Sequence, residues 1–212
     1  MEDFSEGRII KNCPHCDPNS FALKHPLQDS KNFRIVCDVH PLIEGHILII
    51  PKSHLSCVGA FNDVLFKEFK RLYQKVSKFL KKEFGSVSSF EHGKLGQTVF
   101  HSHVHLYPFK GKIKAIIPEG KEKLTPIKSL SDLKKIFQKQ RGYLFLSVQD
   151  KLWIINPSLV GPRFFRDRLA KALGHPDRGN WKKMHFDKKL MSQANREVEN
   201  LKTRWQEFSK EA

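Results

Sequence analysis

Residues 96–106 read Gly96-Gln97-Thr98-Val99-Phe100-His101-Ser102-His103-Val104-His105-Leu106, with a histidine at every second position from 101 to 105. Successive side chains of a β-strand point to opposite faces. A strand over residues 98–107 would therefore carry all three imidazoles on one face, in steps of about 7 Å, with Val104 and Leu106 facing the core. Charged imidazoles repel each other, so packing explains such a row poorly, whereas a metal, an anion or both would suit it. The alternative is a surface strand with incidental histidines or a fortuitous metal-chelating tract.

The segments on either side of this strand predict an antiparallel sheet covered by one long helix. Residues 33–38 and 45–51 are rich in β-formers and predict a hairpin. Residues 87–91 predict a further strand. Apolar residues at helical spacing predict an amphipathic helix over residues 62–84 that ends near Gly85. These apolar residues are Val64, Leu65, Leu72, Val76, Phe79 and Leu80.

The chain beyond Pro108 predicts a second group of elements. The lysine-rich stretch up to Leu124 indicates an exposed loop or edge. The elements predicted after it are a helix at 131–139, a hairpin made of 143–148 and 152–155, and helices at 162–173 and 189–208. We therefore expect an α+β protein with a catalytic domain at residues 1–118 and a C-terminal α/β extension at residues 119–212.

The composition indicates a basic globular protein. Of its 212 residues, 39% are hydrophobic, which is enough for a core without disulfides. No N-terminal run has the apolar length of a signal peptide, and no stretch approaches the ~20 apolar residues of a membrane span. We therefore expect a cytoplasmic protein with no membrane partner and with thiols that are reduced or metal-bound. The formal charge of +16 favours a phosphorylated ligand, although a solvated lysine-rich surface accounts for most of it.

Cys13-Pro14-His15-Cys16 supplies half of a tetrahedral metal site, because two thiolates at this spacing can hold one zinc ion. The sequence has no second Cys-x-x-Cys pair. Cys37 and Cys57 lie on or beside predicted strands, where a buried free thiol is the commoner case. Histidines are therefore needed to complete the set. The alternative is a reduced cysteine pair without metal, and we expect His15 to be a loop residue and not a ligand.

Two blocks of the chain resemble the histidine triad (HIT) family of nucleotide-processing enzymes. The stretch at 96–105 is similar to the family signature. The residues Asp38-Val39-His40-Pro41 and Gly45-His46-Ile47-Leu48-Ile49-Ile50-Pro51-Lys52-Ser53-His54 resemble its earlier hairpin. The blocks keep the family's order, with the expected helix between them, and cover about the N-terminal half of the chain. The resemblance implies a HIT-like fold and an enzyme that is a hydrolase or nucleotidyltransferase.

The resemblance also implies roles for three histidines. His103 matches the nucleophile that forms a covalent nucleotidyl-histidine, His105 matches the residue that contacts the transferred phosphate, and His46 matches the histidine that orients the nucleophile. The chemistry of imidazole agrees with these roles. A neutral imidazole is a good nucleophile when a neighbour accepts its other ring N–H, and flanking imidazoles can stabilise the charge on phosphate oxygens without a bound magnesium.

Three further residues fall at nucleotide-binding positions of the family. Asp38 lies where relatives bind the ribose hydroxyls, and Gln97 and Thr98 lie where side chains hold phosphate or leaving-group oxygens. One position departs from the pattern, because Glu91 precedes the glycine turn where many relatives have Asn. A carboxylate there could orient a histidine or act as a general base, but it would also repel a phosphate. The alternative for Glu91 is a turn residue that faces solvent.

Some triad relatives carry an N-terminal zinc knuckle, including galactose-1-phosphate uridylyltransferases. The resemblance to them implies that His54 and His101 complete a zinc site with Cys13 and Cys16. Such a site would be structural, with a closed coordination shell and no water to activate. His101 would then stiffen the segment that carries the nucleophile.

The C-terminal half lies outside the motifs of the triad. Residues 164–174, followed by Asn180-Trp181, loosely resemble a tail segment of some triad proteins. Three arginines in this region could reach substrate phosphates, but we expect them on the solvated face of an amphipathic helix and place none of them in the site. They are Arg163, Arg166 and Arg168.

Two functions from different classes remain. The first is an enzyme that cleaves a phosphoanhydride or phosphoramidate bond of a nucleotide, such as a diadenosine polyphosphate or an adenosine phosphoramidate. The second is a nucleic-acid-associated HIT protein that binds or deadenylates polynucleotide ends, with the basic surface on the phosphate backbone. Family members often dimerise through the long helix and the neighbouring strand, so a homodimer is also possible.

Overall fold

The structure is a computed structural model that describes residues 9–211. Its strands are β1 (Pro26–Asp29), β2 (Phe33–Cys37), β3 (Ile47–Pro51), β4 (Ser88–Glu91), β5 (Val104–Tyr107), β6 (Leu124–Ile127), β7 (Leu144–Val148) and β8 (Lys151–Ile155). Its helices are α1 (Asp63–Phe84), α2 (Asp132–Gln140), α3 (Phe164–Ala172), α4 (Trp181–Phe186) and α5 (Lys188–Lys210). The strands form one antiparallel sheet in the order β1-β2-β3-β5-β4-β7-β8-β6. The predicted α+β fold is therefore confirmed.

Helix α1 begins and ends at the residues that the sequence indicates. The Asn62 side chain accepts a hydrogen bond from the Leu65 N–H (2.9 Å), which satisfies one of the free donors of the first turn. Gly85 ends the helix with a φ of 74°, a left-handed conformation that costs glycine little. The predicted apolar stripe contains one error, because Val64 is 71% exposed.

The two faces of the sheet pack against two separate cores. Val104 and Leu106 belong to the core beneath α1, whereas Tyr107 belongs to the core beneath α3. His105 lies on the α3 face, where its ring stacks on Phe90 with centroids 4.1 Å apart. The alternation of β5 therefore places His105 beside α3, on the face opposite α1.

The C-terminal half continues the same sheet. Strand β7 pairs with β4 through Ser89 and Ser147, and the Trp205 ring of α5 packs on the Phe79 ring of α1 with centroids 5.0 Å apart. Residues 9–118 and 119–211 thus contribute to one sheet and to the same two cores. Their division into a catalytic domain and an extension stays a prediction.

The predicted strand over residues 98–107 is wrong in its first half, because β5 begins only at Val104. The preceding residues lie against the segment after β3 and do not pair as a strand. The Ser102 N–H donates to the Leu55 carbonyl (2.6 Å), and His101 Nε2 lies 2.8 Å from the Pro51 carbonyl oxygen. His101 is therefore held away from the surface that carries the other two imidazoles of the row, and strict alternation does not apply to it.

Three elements were not predicted from the sequence. Strands β1 and β6 are short edge strands, and β6 contains Pro126, which an edge tolerates because one side of it needs no ladder hydrogen bonds. The short helix α4 was also missed. The stretch expected to be an exposed loop contains Ile116 and Ile117, which are buried in the core beneath α3.

Among residues 9–211, no helix combines the length and the apolar character that crossing a bilayer requires.

Candidate active site

A cavity of about 280 Å³ lies where the N-terminal loop, the residues after β2, strand β5 and the start of α3 meet. Histidines and charged side chains dominate its polar lining. The histidines are His15, His40, His92, His103 and His105, and the charged residues are Asp38, Arg163 and Arg166. Phe21 and Trp181 add aromatic surface. The cavity therefore combines apolar walls with convergent polar groups, as ligand sites do.

His103 is oriented by the backbone beside it. Its Nδ1 lies 2.6 Å from the carbonyl oxygen of His101, and because a carbonyl only accepts, Nδ1 must carry the proton. This tautomer leaves a lone pair on Nε2. Burial lowers the pKa of His103 and outweighs the opposing effect of the carbonyl, so the ring is neutral at pH 7. A neutral imidazole with one free nitrogen in a cavity has the form a nucleophile needs.

His105 has the opposite tautomer, set by a chain of two hydrogen bonds. The Leu42 N–H donates to His46 Nδ1 (3.1 Å), so the proton of His46 is on Nε2, which lies 2.9 Å from His105 Nδ1. His105 therefore accepts at Nδ1 and holds its own proton on Nε2. Burial lowers the pKa of His46 to about 4, and burial together with neighbouring imidazoles lowers the pKa of His105 well below its ordinary value. His46 thus contacts His105 and not His103, whereas the HIT pattern led us to expect a contact with the nucleophile.

Asp38 is buried at the wall of the cavity and has two strong partners. Its Oδ1 accepts from the His40 N–H (2.8 Å), and its Oδ2 accepts from Arg166 Nη1 (3.1 Å). Its Oδ2 also lies 3.6 Å from His46 Nδ1. Burial by itself raises the pKa of this carboxyl, but the Arg166 cation and the hydrogen bond from the His40 N–H favour the charged form, and the pKa falls below its ordinary value. Asp38 is therefore ionised at neutral pH.

A second cluster lies next to the cavity and contains the four predicted metal ligands. The ligand atoms of Cys13, Cys16, His54 and His101 all lie within 4.8 Å of one another. The sulfur-to-nitrogen distances are 3.4 Å for Cys16 to His54 and 3.5 Å from each cysteine to His101 Nδ1. A tetrahedral zinc ion with ordinary bond lengths holds S and N ligands roughly 3.6 Å apart, so the four residues fit a metal ion. The Pro51 carbonyl binds His101 Nε2 (2.8 Å), which leaves Nδ1 free for the metal.

Comparison with known proteins agrees with this geometry. The family model described as HIT domain matches residues 23–111. Protein hit of Bacillus subtilis (strain 168) is 31% identical over 110 residues, which cover 46% of this chain and 76% of that relative. The chain belongs to the HIT family. Membership of this family indicates nucleotide hydrolase or transferase chemistry.

Other HIT relatives match a similar share of this chain. An uncharacterized HIT-like protein of Chlamydia muridarum is 29% identical over 106 residues, or 47% of this chain and 75% of that protein. The crystal structure of a HIT family protein from Bacillus anthracis is 27% identical with a TM-score of 0.43, and the match covers 48% of this chain and 76% of that chain. The HIT domain match ends at residue 111, so the C-terminal half lies outside it.

Two residues of the HIT signature, Thr98 and Gln97, differ in their position relative to the cavity. Thr98 lines the cavity, as expected of a group that contacts phosphate or leaving-group oxygens. Gln97 does not line it. Its Nε2 donates to the Ser56 carbonyl (2.7 Å), and this bond ties the signature loop to the segment after β3. The contact that the structure shows for Gln97 is the one to Ser56, and its role in ligand binding stays a prediction.

Glu91, where many HIT relatives have Asn, does not face solvent as one interpretation of the sequence suggested. It is fully buried and accepts hydrogen bonds from the Val58 N–H (3.0 Å), the Ser102 hydroxyl (2.8 Å) and the Tyr143 hydroxyl (2.5 Å). Burial raises the pKa of Glu91 to about 7 despite these donors. Since Glu91 does not line the cavity, it would not meet a bound phosphate. It holds Ser102, the residue between His101 and His103.

Sequence reasoning missed several cavity residues. The expectation that all three arginines lie on a solvated helix face is wrong for Arg166, whose side chain is only 11% exposed and binds Asp38. Arg163 also lines the cavity, although its side chain is 36% exposed, and Arg168 pairs outside it with Glu119. His15 was expected to be a loop residue, and its ring contacts that of His103 with centroids 4.9 Å apart. No local sequence pattern distinguishes Arg166 from Arg168; only the packing of α3 does.

Proposed function

We propose that this HIT protein is a nucleotide hydrolase or nucleotidyltransferase that acts through a covalent nucleotidyl group on His103. The observation that carries the proposal is the tautomer of His103. Its Nδ1–H is bound to the His101 carbonyl, and its free Nε2 belongs to a side chain that lines the cavity. The proposed substrates are nucleotides with a phosphoanhydride or phosphoramidate bond, such as diadenosine polyphosphates.

The reaction takes place in two displacements. His103 Nε2 attacks the phosphorus next to the nucleoside, a P–N bond forms, and the bond from phosphorus to the leaving group breaks with its electron pair going to the leaving atom. The ring is then cationic, and the adjacent carbonyl stabilises the proton on Nδ1. In the second step, water or an acceptor phosphate attacks the same phosphorus, the P–N bond breaks, and its electron pair returns to Nε2. With water, the products are a nucleoside monophosphate, the leaving group and a proton.

The neighbouring groups support both steps. His105 Nε2–H is a donor for a nonbridging or leaving-group oxygen, and His46 holds His105 in this tautomer through the 2.9 Å contact. Because the transition state spreads charge over phosphate oxygens, donors fixed in advance stabilise it more than the ground state. Asp38 faces the cavity as an ionised acceptor suited to ribose hydroxyls, and Thr98 offers a hydroxyl to phosphate.

We propose that Cys13, Cys16, His54 and His101 hold a structural zinc ion. Four protein ligands leave no open coordination position, so the bound ion would supply rigidity and no activated water. Rigidity here concerns His103 directly, because the His101 carbonyl orients its ring. The distances between the ligand atoms support this proposal.

The covalent intermediate provides the test. The protein is incubated with diadenosine triphosphate and with adenosine 5′-phosphoramidate, quenched rapidly, and analysed by peptide mass spectrometry. We expect a mass increase of one adenylyl group on the peptide that contains His103. His103→Ala is expected to abolish both the adduct and turnover. His175→Ala, a histidine that does not line the cavity, is the matched control and should retain both. Turnover by His103→Ala at the rate of the wild type would refute the mechanism.

A second candidate function follows from the net charge of +16. Polynucleotides with adenylated ends present the same type of scissile bond on a polyanion, and the basic surface would attract them. Affinity for a nicked DNA duplex that falls steeply between 50 and 200 mM salt, together with removal of a 5′-adenylate, would favour this substrate. Indifference to nucleic acid would favour the small-molecule enzyme.

A further inference from the structure

Helix α3 brings a buried guanidinium group into the wall of the active-site cavity. The Arg166 side chain is 11% exposed. Its Nη1 donates to Asp38 Oδ2 (3.1 Å), and its Nη2 donates to the His40 carbonyl (2.6 Å) and, more weakly, to the Arg178 carbonyl (3.3 Å). These contacts fix the plane of the guanidinium on one side. The group is therefore a preorganised cation and not a mobile surface charge.

One donor of this guanidinium is buried without an acceptor. Arg166 Nε is inaccessible to solvent and has no hydrogen-bond partner within residues 9–211. A guanidinium has five N–H donors, and leaving a buried donor unpaired costs free energy that a ligand oxygen can recover. Nε is closed to solvent, so a ligand oxygen reaches it only if the side chain shifts; because Arg166 lines the cavity, an anionic ligand there pairs first with the charge of the guanidinium as a whole.

The charge of Arg166 acts on the catalytic histidines. Burial is the main cause of the lowered pKa of His103 and His105, and the Arg166 cation lowers both further. Arg163, at the N-terminus of the same helix, lines the cavity as well. Two guanidinium groups from the start of α3 therefore line the cavity.

We propose that Arg166 is a specificity-determining residue that binds the anionic leaving group of the substrate. The inference rests on the proposed function and distinguishes between its two substrate classes. Cleavage of a phosphoanhydride releases a phosphate chain and places the electron pair of the broken bond on a phosphate oxygen. Cleavage of a phosphoramidate releases an amine, which carries no negative charge for a guanidinium to bind. A fixed cation in the wall of the cavity therefore favours a leaving group that carries negative charge, and so nucleotides joined through phosphoanhydrides.

The kinetic test compares diadenosine triphosphate with adenosine 5′-phosphoramidate for three forms of the protein. The wild type is expected to have the higher kcat/KM for the dinucleotide. Arg166→Gln should lower kcat/KM for the dinucleotide about tenfold or more and for the phosphoramidate about threefold or less, because only the first substrate loses a charged contact. Arg168→Gln is the matched control, since it removes an arginine of the same helix that pairs with Glu119 outside the cavity, and should leave the ratio unchanged.

A binding measurement makes the inference independent of turnover. By titration calorimetry, the wild type should bind α,β-methylene-ADP about tenfold more tightly than AMP, and Arg166→Gln should bind the two equally. Arg166→Lys keeps the charge but not the fixed hydrogen bonds, so its preference for α,β-methylene-ADP over AMP should lie between those of the wild type and Arg166→Gln. This variant keeps the test decisive if Arg166→Gln folds poorly. Circular dichroism and thermal melting check the fold of each variant.

Several outcomes would overturn the inference. Equal loss of kcat/KM for both substrates in Arg166→Gln would mean that the residue only anchors Asp38 and α3. A wild type that binds AMP and α,β-methylene-ADP equally would also contradict it. If the wild type turns over neither substrate but shows the expected binding difference, the proposed reaction fails while the anion-binding role of Arg166 stands.

Discussion

His101 and His103 are two residues apart, yet the fold gives them opposite tautomers. His101 Nε2 lies 2.8 Å from the Pro51 carbonyl, so its proton is on Nε2 and its Nδ1 faces Cys13 and Cys16. His103 Nδ1 lies 2.6 Å from the His101 carbonyl, so its proton is on Nδ1 and its Nε2 is free. The position of one backbone carbonyl decides which nitrogen of each ring can act.

The site therefore consists of a metal cluster and a reaction cavity that share one stretch of backbone. The carbonyl that sets the tautomer of His103 belongs to His101, the residue that the metal would hold. Between them, Ser102 is bound on one side to the Leu55 carbonyl and on the other to Glu91. Damage to the cluster should therefore reach the cavity through the backbone, whereas damage to the cavity should leave the cluster intact.

The largest expected effect is the loss of catalysis in His103→Ala. We expect kcat to fall by about a thousandfold or more, because no other group supplies the attacking nitrogen. Zinc content, measured by atomic absorption, should stay the same as in the wild type. His101→Ala should lower both zinc content and kcat. A His103→Ala protein without zinc, or a His101→Ala protein with full activity, would contradict the separation of the two regions.

Removal of the metal is the next test in order of size. Cys16→Ser, or prolonged chelation, should lower the midpoint of thermal unfolding by roughly 10 °C, because the loss of a closed structural site costs several kcal/mol. The kcat should fall with it as the His101 carbonyl loses its position. Cys37→Ala is the control, since Cys37 is a buried free thiol outside the cluster and the substitution should leave the zinc content unchanged. Unchanged melting and activity after confirmed metal loss would show that the ion does not support the segment.

Glu91 accepts a hydrogen bond from Ser102, the residue that joins the two regions, and the titration of Glu91 provides the next test. Its pKa is 4.5 in an unfolded chain and about 7 in the fold, so its contribution to stability is fully present below pH 4.5 and is lost as the pH rises through 7. Between pH 5 and pH 8, the free energy of unfolding of the wild type should fall relative to Glu91→Gln by roughly 2 to 3 kcal/mol. Urea denaturation at both pH values measures this difference. Glu122→Gln, at an exposed carboxylate, should show no such change, and a parallel pH dependence in Glu91→Gln and wild type would rule out Glu91 as the titrating group.

The sequence predicts the parts of the site that local patterns encode. Helix α1, the hairpin of β2 and β3 and the cluster of Cys13, Cys16, His54 and His101 follow from periodicity, turn residues and the resemblance to the HIT family. The break in the strand at Val104 does not follow, because contacts with Pro51 and Leu55 outweigh the alternating pattern. Arg166 and Glu91 could not be placed either. Their roles depend on which face of α3 packs against the cavity and on a partner, Tyr143, that lies 52 residues from Glu91 in the chain.

The smallest expected effect is a shift in the acid limb of the pH profile of kcat/KM. This shift reports the electrostatic potential that nearby charges create at His103. Catalysis needs neutral His103, and burial lowers its pKa, so the limb should lie below the ordinary histidine value of 6.5. The Arg166 cation lowers this pKa further, whereas the Asp38 carboxylate raises it. Arg166→Gln should therefore move the limb to higher pH and Asp38→Asn to lower pH, each by less than about one unit. Arg168→Gln should leave it in place. Shifts of the same sign in the Arg166 and Asp38 variants would mean that the limb reports a group other than His103, because these two opposite charges act on His103 in opposite directions.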